Sequence, residues 1–321
     1  MIKFSKQIKP KNPIMIAAWP GMGNVAIKAA AYFQEQLKAI EFADIDASEF
    51  FSSTEAAIEN GLIKLPEIPK GKFYFWENKT GKNDLIIFIS QAQPHLEKGS
   101  QYAKDVLEAA EKLKVELIYT FAAMPLPIDH LKTPQIWAVA TDKKLTEQLK
   151  KSAIKIMTEG QISGLNGLFL AVAKDLGFSG ICLLAEIPLY AIQIENPNAS
   201  LAILEALCKS LEIKIDLAPL QTAAKLMQEE IERLIEYLKT PEEELIKPIT
   251  EEEIEKIRKM LSAQDKLPDS AKKSIEEFFG LAKKDIKIAS ELKKELDKWG
   301  VYKEYEDRFL DLFKKRQKKS N

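Results

Sequence analysis

Short apolar runs alternate with amphipathic stretches through the first two thirds of this 321-residue chain, and that alternation restricts the fold more than any other feature. Ile14-Met15-Ile16-Ala17-Ala18 follows Pro13, is apolar throughout, and reads as a strand covered on both faces. Residues 25–38 place Ala26, Ala29, Ala30, Phe33 and Leu37 at near-helical spacing. Residues 42–45 read as a second strand, and residues 73–76 and 85–89 as a strand pair around the turn Thr80-Gly81-Lys82-Asn83. Residues 100–113 form an amphipathic helix, 115–121 and 136–140 strands, 168–176 a helix and 181–185 a strand. This order predicts an α/β fold with a mostly parallel central sheet and helices on both faces. Sites in such sheets form at the carboxyl ends of the strands.

Charge density changes along the chain. Residues 1–220 carry 24 basic and 25 acidic side chains, whereas residues 221–321 carry 23 of each in less than half the length. Eleven of the 13 glycines lie at or before Gly180. The predicted organisation is therefore an α/β domain over 1–240 and a charged helical extension over 241–321, with Pro241 and Pro248 bracketing a linker. Thr250-Glu251-Glu252-Glu253 has the form of a capping box. Phe278, Leu292, Trp299, Tyr305 and Phe309 fall on helical stripes that must bury their area somewhere, which makes them interface candidates. A net charge of -1 excludes a chain-wide footprint for nucleic acid. The longest apolar runs fall far short of the ~20 residues that cross a bilayer. No apolar signal core follows Met1, so a cytoplasmic protein without membrane partners is expected. Two Cys and two His argue against a disulfide scaffold and a metal cage.

The sharpest local motif is Trp19-Pro20-Gly21-Met22-Gly23-Asn24-Val25-Ala26, between the first strand and the first helix. Gly21, Gly23 and Ala26 satisfy the G-x-G-x-x-A pattern of dinucleotide sites, with Asp44 or Asp46 about 20 residues on. A tight strand-to-helix turn needs the same glycines, and both are expected in conformations that disfavour a Cβ. The third strand of a mononucleotide-binding half does not follow promptly, so no cofactor is called for. Gln91 and Gln93 follow a strand and could hydrogen-bond a small polar ligand or shape the turn before Pro94. Glu159, ahead of a Gly-rich loop, and Glu186, at a strand end, could act as an acid/base pair or pin loops. His95 and His130 sit beside turns with no nucleophile elbow, and no residue is assigned a catalytic role. Asn198 is a candidate cap for the helix that follows.

Three blocks in order carry a family resemblance. They are the turn at 19–25, the run Glu159-Gly160-Gln161-Ile162-Ser163-Gly164-Leu165-Asn166-Gly167-Leu168 continuing through 180–188, and Asn196-Pro197-Asn198-Ala199-Ser200. Over residues 10–240 the chain resembles the family named for the second proteasome assembly chaperone. The resemblance implies a fold similar to purine nucleoside phosphorylases, homo- or hetero-oligomers, of which a homo-oligomer is the reading taken, and a protein client among proteasome subunits. Gly21, Gly23, Asn24, Gln91, Gln93, Glu159, Gly164, Asn166 and Glu186 are the candidates for ligand or partner binding. Members that dock on the proteasome end in a hydrophobic residue, a tyrosine and one more residue. This chain ends Lys318-Lys319-Ser320-Asn321, so docking by such a plug is not expected. The reading is a non-catalytic assembly chaperone or scaffold. Its alternative is a ligand-binding protein or enzyme using the carboxyl edge of the sheet, since shared fold alone does not carry activity.

Overall fold

The computed structural model describes residues 2–45, 48–51, 56–152, 154–239, 269–284 and 288–298, together with 302, 305, 306, 308, 309 and 312. The chain divides into two compact units, Met1–Pro248 and Ile249–Asn321.

The first unit is built on β2 (Ile14–Ala18), whose five residues are all buried. β7 (Leu85–Ser90) and β8 (Leu117–Leu126) flank it in parallel, with Ile14 level with Leu85 and Leu117. β11 (Ser179–Pro188) lies parallel on the far side of β8. These four strands form the parallel centre that the alternation predicts. The flanks are antiparallel. β6 (Gly71–Trp76) joins β7 through a short turn, and only an antiparallel neighbour can be reached that way. β3 (Ile40–Ile45) and β1 (Ile2–Phe4) continue that side. On the other side β9 (Ile136–Ala140) follows β8 without a helix and runs antiparallel to β11, and the two-residue β10 (Lys155–Ile156) pairs with β9. Among the described residues the sheet has nine strands, ordered β1-β3-β6-β7-β2-β8-β11-β9-β10.

Period-two alternation sends successive side chains into two separate cores. Met15 and Ala17 face Phe88, Tyr102, Val106 and Phe169, beneath α2 (Gly99–Lys112) and α4 (Leu165–Asp175). Ile14, Ile16 and Ala18 face Phe33, Ile203 and Leu207, beneath α1 (Val25–Leu37) and α5 (Pro197–Leu211). A strand apolar at every position is the sequence signature of a sheet covered on both sides. α3 (Lys143–Lys151) lies beside β9 and β10, and α6 (Ala218–Lys239) packs on α5. Helix α5 is capped by Asn196, whose Oδ1 accepts from Ala199 N at 2.9 Å, rather than by Asn198. Proline suits the first helical position, so Pro197 moves the cap one residue before itself.

A two-stranded hairpin stands outside the main sheet. It pairs β4 (Ala57–Glu59) with β5 (Leu62–Lys64), with Asn60 and Gly61 at its tip. Both tip residues have positive φ, 53° and 77°, as a tight two-residue hairpin turn requires.

The second unit contains α7 (Asp269–Lys284) and α8 (Ala289–Lys298). Its own core joins Ile275, Phe279, Ala282, Leu292, Leu296 and Phe309. Phe278 and Tyr305 pack against that core half-buried. Leu292 is wholly buried and Phe309 nearly so, which uses their apolar area inside the unit. Arg308 donates to both carboxylate oxygens of Glu276, at 2.7 and 2.8 Å, and lies over the Phe279 ring. Trp299, the expected boundary at 240/241 and the capping box at 250–253 lie outside the described residues.

Candidate functional site

At the carboxyl end of β2 the chain turns sharply into α1. Trp19 is fully buried there, its ring 5.4 Å from Phe88 and 4.9 Å from Phe169. Gly23 (φ 60°) and Asn24 (φ 50°) are consecutive left-handed residues that reverse the chain. Glycine takes this conformation without penalty and asparagine tolerates it, which explains the order Gly-Asn. Gly21 differs from the expectation. Its φ of −167° is extended backbone open to any residue, and a Cβ there would meet Asn166 Nδ2 at an ordinary 3.6 Å.

The turn's polar groups are held by the chain itself. Gly23 N donates to Ile192 O at 2.8 Å, Asn196 N donates to Gly23 O at 2.9 Å, and Asn24 N donates to Gly21 O at 2.9 Å. Asn166, buried on the first turn of α4, accepts from Trp19 N through Oδ1 and donates to Trp19 O through Nδ2, both at 3.0 Å. Gln93 donates to Pro20 O at 2.6 Å and accepts from Leu165 N at 2.9 Å. Gly164 precedes α4 with φ 77° and ψ −176°, a region essentially restricted to glycine, and sits against the Gln93 amide.

A phosphate site needs free N–H groups at the helix start. Here the Gly23 and Asn24 amides are already bonded to carbonyls. Asp44 lies on β3, which β6 and β7 separate from β2. That spacing keeps it from the adjacent-strand position of a dinucleotide site, so the G-x-G-x-x-A match is the grammar of a tight turn.

Gln91 is exposed and works at a different junction. Its Oε1 accepts from Lys70 N at 2.8 Å and its own N–H donates to Lys70 O at 3.0 Å. A few residues on, His95 N donates to Phe50 O at 3.0 Å and Lys98 Nζ donates to Glu49 O at 2.6 Å. Loop 91–98 is thus hydrogen-bonded to residues 49–50 and to residue 70, which precede and follow the hairpin in sequence. Through Gln93 the same loop holds the Gly-rich turn.

The two carboxylates do not meet as partners. Glu186 is buried near the end of β11, where it accepts from Trp137 Nε1 at 3.0 Å and pairs with Lys132 Nζ at 3.3 Å. A buried carboxylate needs such compensation. Glu159 is exposed on the loop after β10.

A cluster that sequence reasoning missed ties α6 to the body. His130 is buried, its backbone N–H donates to Tyr190 Oη at 2.9 Å, and its Nδ1 lies 2.8 Å from the same oxygen. Its Nε2 is 3.0 Å from Glu232 Oε2, and Gln228 on the same helix donates to His130 O. The separations span 60 to about 100 residues, so no local pattern announces them.

A cavity of about 730 Å³ lies at the opposite edge, where β2, β7 and β8 begin. Leu85, Leu117, Lys82 and Lys214 line it, with Tyr119 Oη and Ser210 Oγ joined at 2.9 Å. None of the candidate binding residues named from the sequence is among the residues that line it.

The arrangement defines a three-layer α/β protein whose Gly-rich edge is laced by its own side chains. The chain belongs to the PAC2 family, whose model matches residues 15–235. It is similar to PbaB of Pyrococcus furiosus, an archaeal proteasome activator. The identity is 28% and the TM-score 0.63, covering 74% of this chain and 98% of that one. PbaA of the same organism, an archaeal homolog of proteasome-assembly chaperone, matches at 23% identity and a TM-score of 0.57. That match covers 74% of this chain and 97% of PbaA and shows the fold alone. An uncharacterized protein of Methanocaldococcus jannaschii is 29% identical over 245 residues, covering 75% of this chain and 89% of that protein.

Proposed function

We propose that this chain is a non-catalytic assembly factor that works through protein contacts, as a cytoplasmic homo-oligomeric scaffold whose client is a set of proteasome subunits. The observation that carries the reading is the closed edge. Gly23, Gln93 and Asn166, the polar groups best placed to hold a ligand, spend their hydrogen bonds on the chain's own backbone. Family membership and the likeness to PbaB support the choice of client. The enzyme alternative needs convergent, available polar groups at this edge, and the buried Glu186 is already compensated by Lys132 and Trp137. Among the described residues no helix is long and apolar enough to cross a membrane. In this reading the second unit is a separable module appended to the family domain.

The test mixes the purified chain with separately purified proteasome α and β subunits from the same organism. Native electrophoresis follows ring formation, and peptide hydrolysis follows the finished particle. A complex together with a changed assembly or hydrolysis rate is expected. No complex at tens of micromolar, with both rates unchanged, overturns the reading.

A further inference from the structure

The cavity of about 730 Å³ at the start of the parallel strands falls within the ~300–1,000 Å³ of ordinary small-molecule sites. Its floor is apolar. Ile14 of β2, Leu85 of β7, Leu117 of β8 and Ile181 of β11 come from four neighbouring strands, and Leu149 of α3 and Ile213, just after α5, join them. Protein interiors are close-packed, so an opening of this size keeps water against aliphatic surface that an apolar body would cover.

Polar groups line the same space. Lys82 comes from the turn between β6 and β7, and Lys214 from the segment between α5 and α6. Among the described residues neither ammonium pairs with a carboxylate. The turn that carries Lys82 is fastened. Asp84 accepts from Lys11 N at 2.7 Å and from Asn78 N at 2.9 Å, and Asn83 Nδ2 donates to Asn12 O at 2.8 Å. Glu212 is the one acidic residue in the lining, so its cations outnumber its anions by two to one. Tyr119 Oη and Ser210 Oγ share one hydrogen bond of 2.9 Å. Two hydroxyls bring two hydrogens, so one O–H is left over, and it has no acceptor among the described residues. Burial raises the Tyr119 hydroxyl above its ordinary value, against the opposing effect of its hydrogen bond with Ser210, so the phenol keeps its proton at neutral pH.

We propose that this cavity binds a small amphipathic acid, its apolar body over the aliphatic floor and its carboxylate toward Lys82 and Lys214. The two lysines set the sign of the head group, and the spare O–H asks for an acceptor, which a carboxylate supplies. An ammonium head would meet like charge and offer that O–H nothing. A wholly polar anion such as inorganic phosphate would leave the floor wet. The site lies at the amino ends of the parallel strands, whereas Gly23, Gln93 and Asn166 gather at the carboxyl end of β2, so it is independent of the closed edge and of the assembly reading.

The experiment titrates the full chain with decanoate by calorimetry, with decylammonium and inorganic phosphate as controls. Decanoate is expected to bind saturably at one site per chain below about 1 mM, at least ~10-fold more tightly than either control. Lys82 and Lys214 are exposed, so Lys82→Ala/Lys214→Ala should leave the urea midpoint unchanged and weaken decanoate ~10-fold. Trp76 lines the cavity, so 10-bromodecanoate should quench its fluorescence, and Trp76→Phe should remove that part of the quenching. Ile63→Ser, in the exposed hairpin, should leave binding unchanged. If the double alanine variant unfolds, the Trp76 quenching decides alone. No saturable decanoate binding in the millimolar range overturns the proposal. Binding that survives the double variant unchanged and leaves Trp76 unquenched also overturns it, because the probe then sits elsewhere. Equal affinity for decylammonium or phosphate overturns the assigned ligand class.

Discussion

Asn166 treats Trp19 as a neighbouring strand would, accepting from its N–H and donating to its C=O at 3.0 Å each, across 147 residues of sequence. Both Trp19 groups lie past the end of β2, where the ladder no longer serves them, and the residue is fully buried. One amide side chain therefore completes the backbone of the turn.

Asn166→Leu keeps the volume and removes both partners. Leaving a buried donor and a buried acceptor unpaired should cost about 2–5 kcal/mol. Asn166→Asp keeps the acceptor but turns a carboxylate oxygen toward Trp19 O, so it should also destabilise. Urea unfolding of the three proteins checks this. Midpoints within error of wild type would show that water replaces Asn166 at no cost.

The two glycines of the turn should part company. Gly21→Ala meets extended backbone and open contact, and a change below about 0.5 kcal/mol is expected. Gly23→Ala must hold φ near 60° with its Cβ 3.2 Å from Asn196 Cβ, and should lose about 1–3 kcal/mol. Gly164→Ala, at φ 77° and ψ −176°, should behave like Gly23→Ala. Equal midpoints for Gly21→Ala and Gly23→Ala would refute the assignment of strain to Gly23 alone.

Stability should fall at alkaline pH. Burial pushes the Cys182 thiol from 9.0 to about 12, and burial pushes the Tyr102 hydroxyl from 10.0 to about 12 against the opposing effect of its hydrogen bond with Ser90. Above pH 9 the unfolded chain releases these protons while the folded chain keeps them. Unfolding is then favoured progressively, from pH 9 up to about 12. Urea midpoints at pH 8, 9.5 and 10.5 should decrease in that order, and Cys182 should resist a thiol reagent at pH 8 until the protein unfolds. A flat profile with immediate labelling of Cys182 would contradict the burial argument.

The parallel centre was legible because β2, β7 and β11 are apolar at nearly every position, and only a sheet covered on both faces asks for that. The start of α1 was legible for a similar reason, since Gly23-Asn24 marks a left-handed reversal. α3 left little trace because Leu149 is its one buried residue among many lysines. The hairpin announced itself only by Asn60-Gly61, with apolar residues on exposed strands too short to show a period. The roles of Gln93 and Asn166 depend on partners 72 to 147 residues away, and no local spacing encodes such a meeting. Which of Gly21 and Gly23 bears the unusual dihedral is likewise fixed by what Ile192 and Asn196 grip from a distant segment.

That grip bears on how the chain comes off the ribosome. β2, made among the first twenty residues, lies inside the finished sheet, and its turn is completed by residues 166 and 192–196. At ~5–20 residues per second, the 147 residues between Trp19 and Asn166 take roughly 7–30 s to synthesise. Through that interval β2 can gather α1, β7, α2 and β8 but not α4 or α5, so its two faces stay half covered and its turn unfinished until residues 166 and 192–196 emerge.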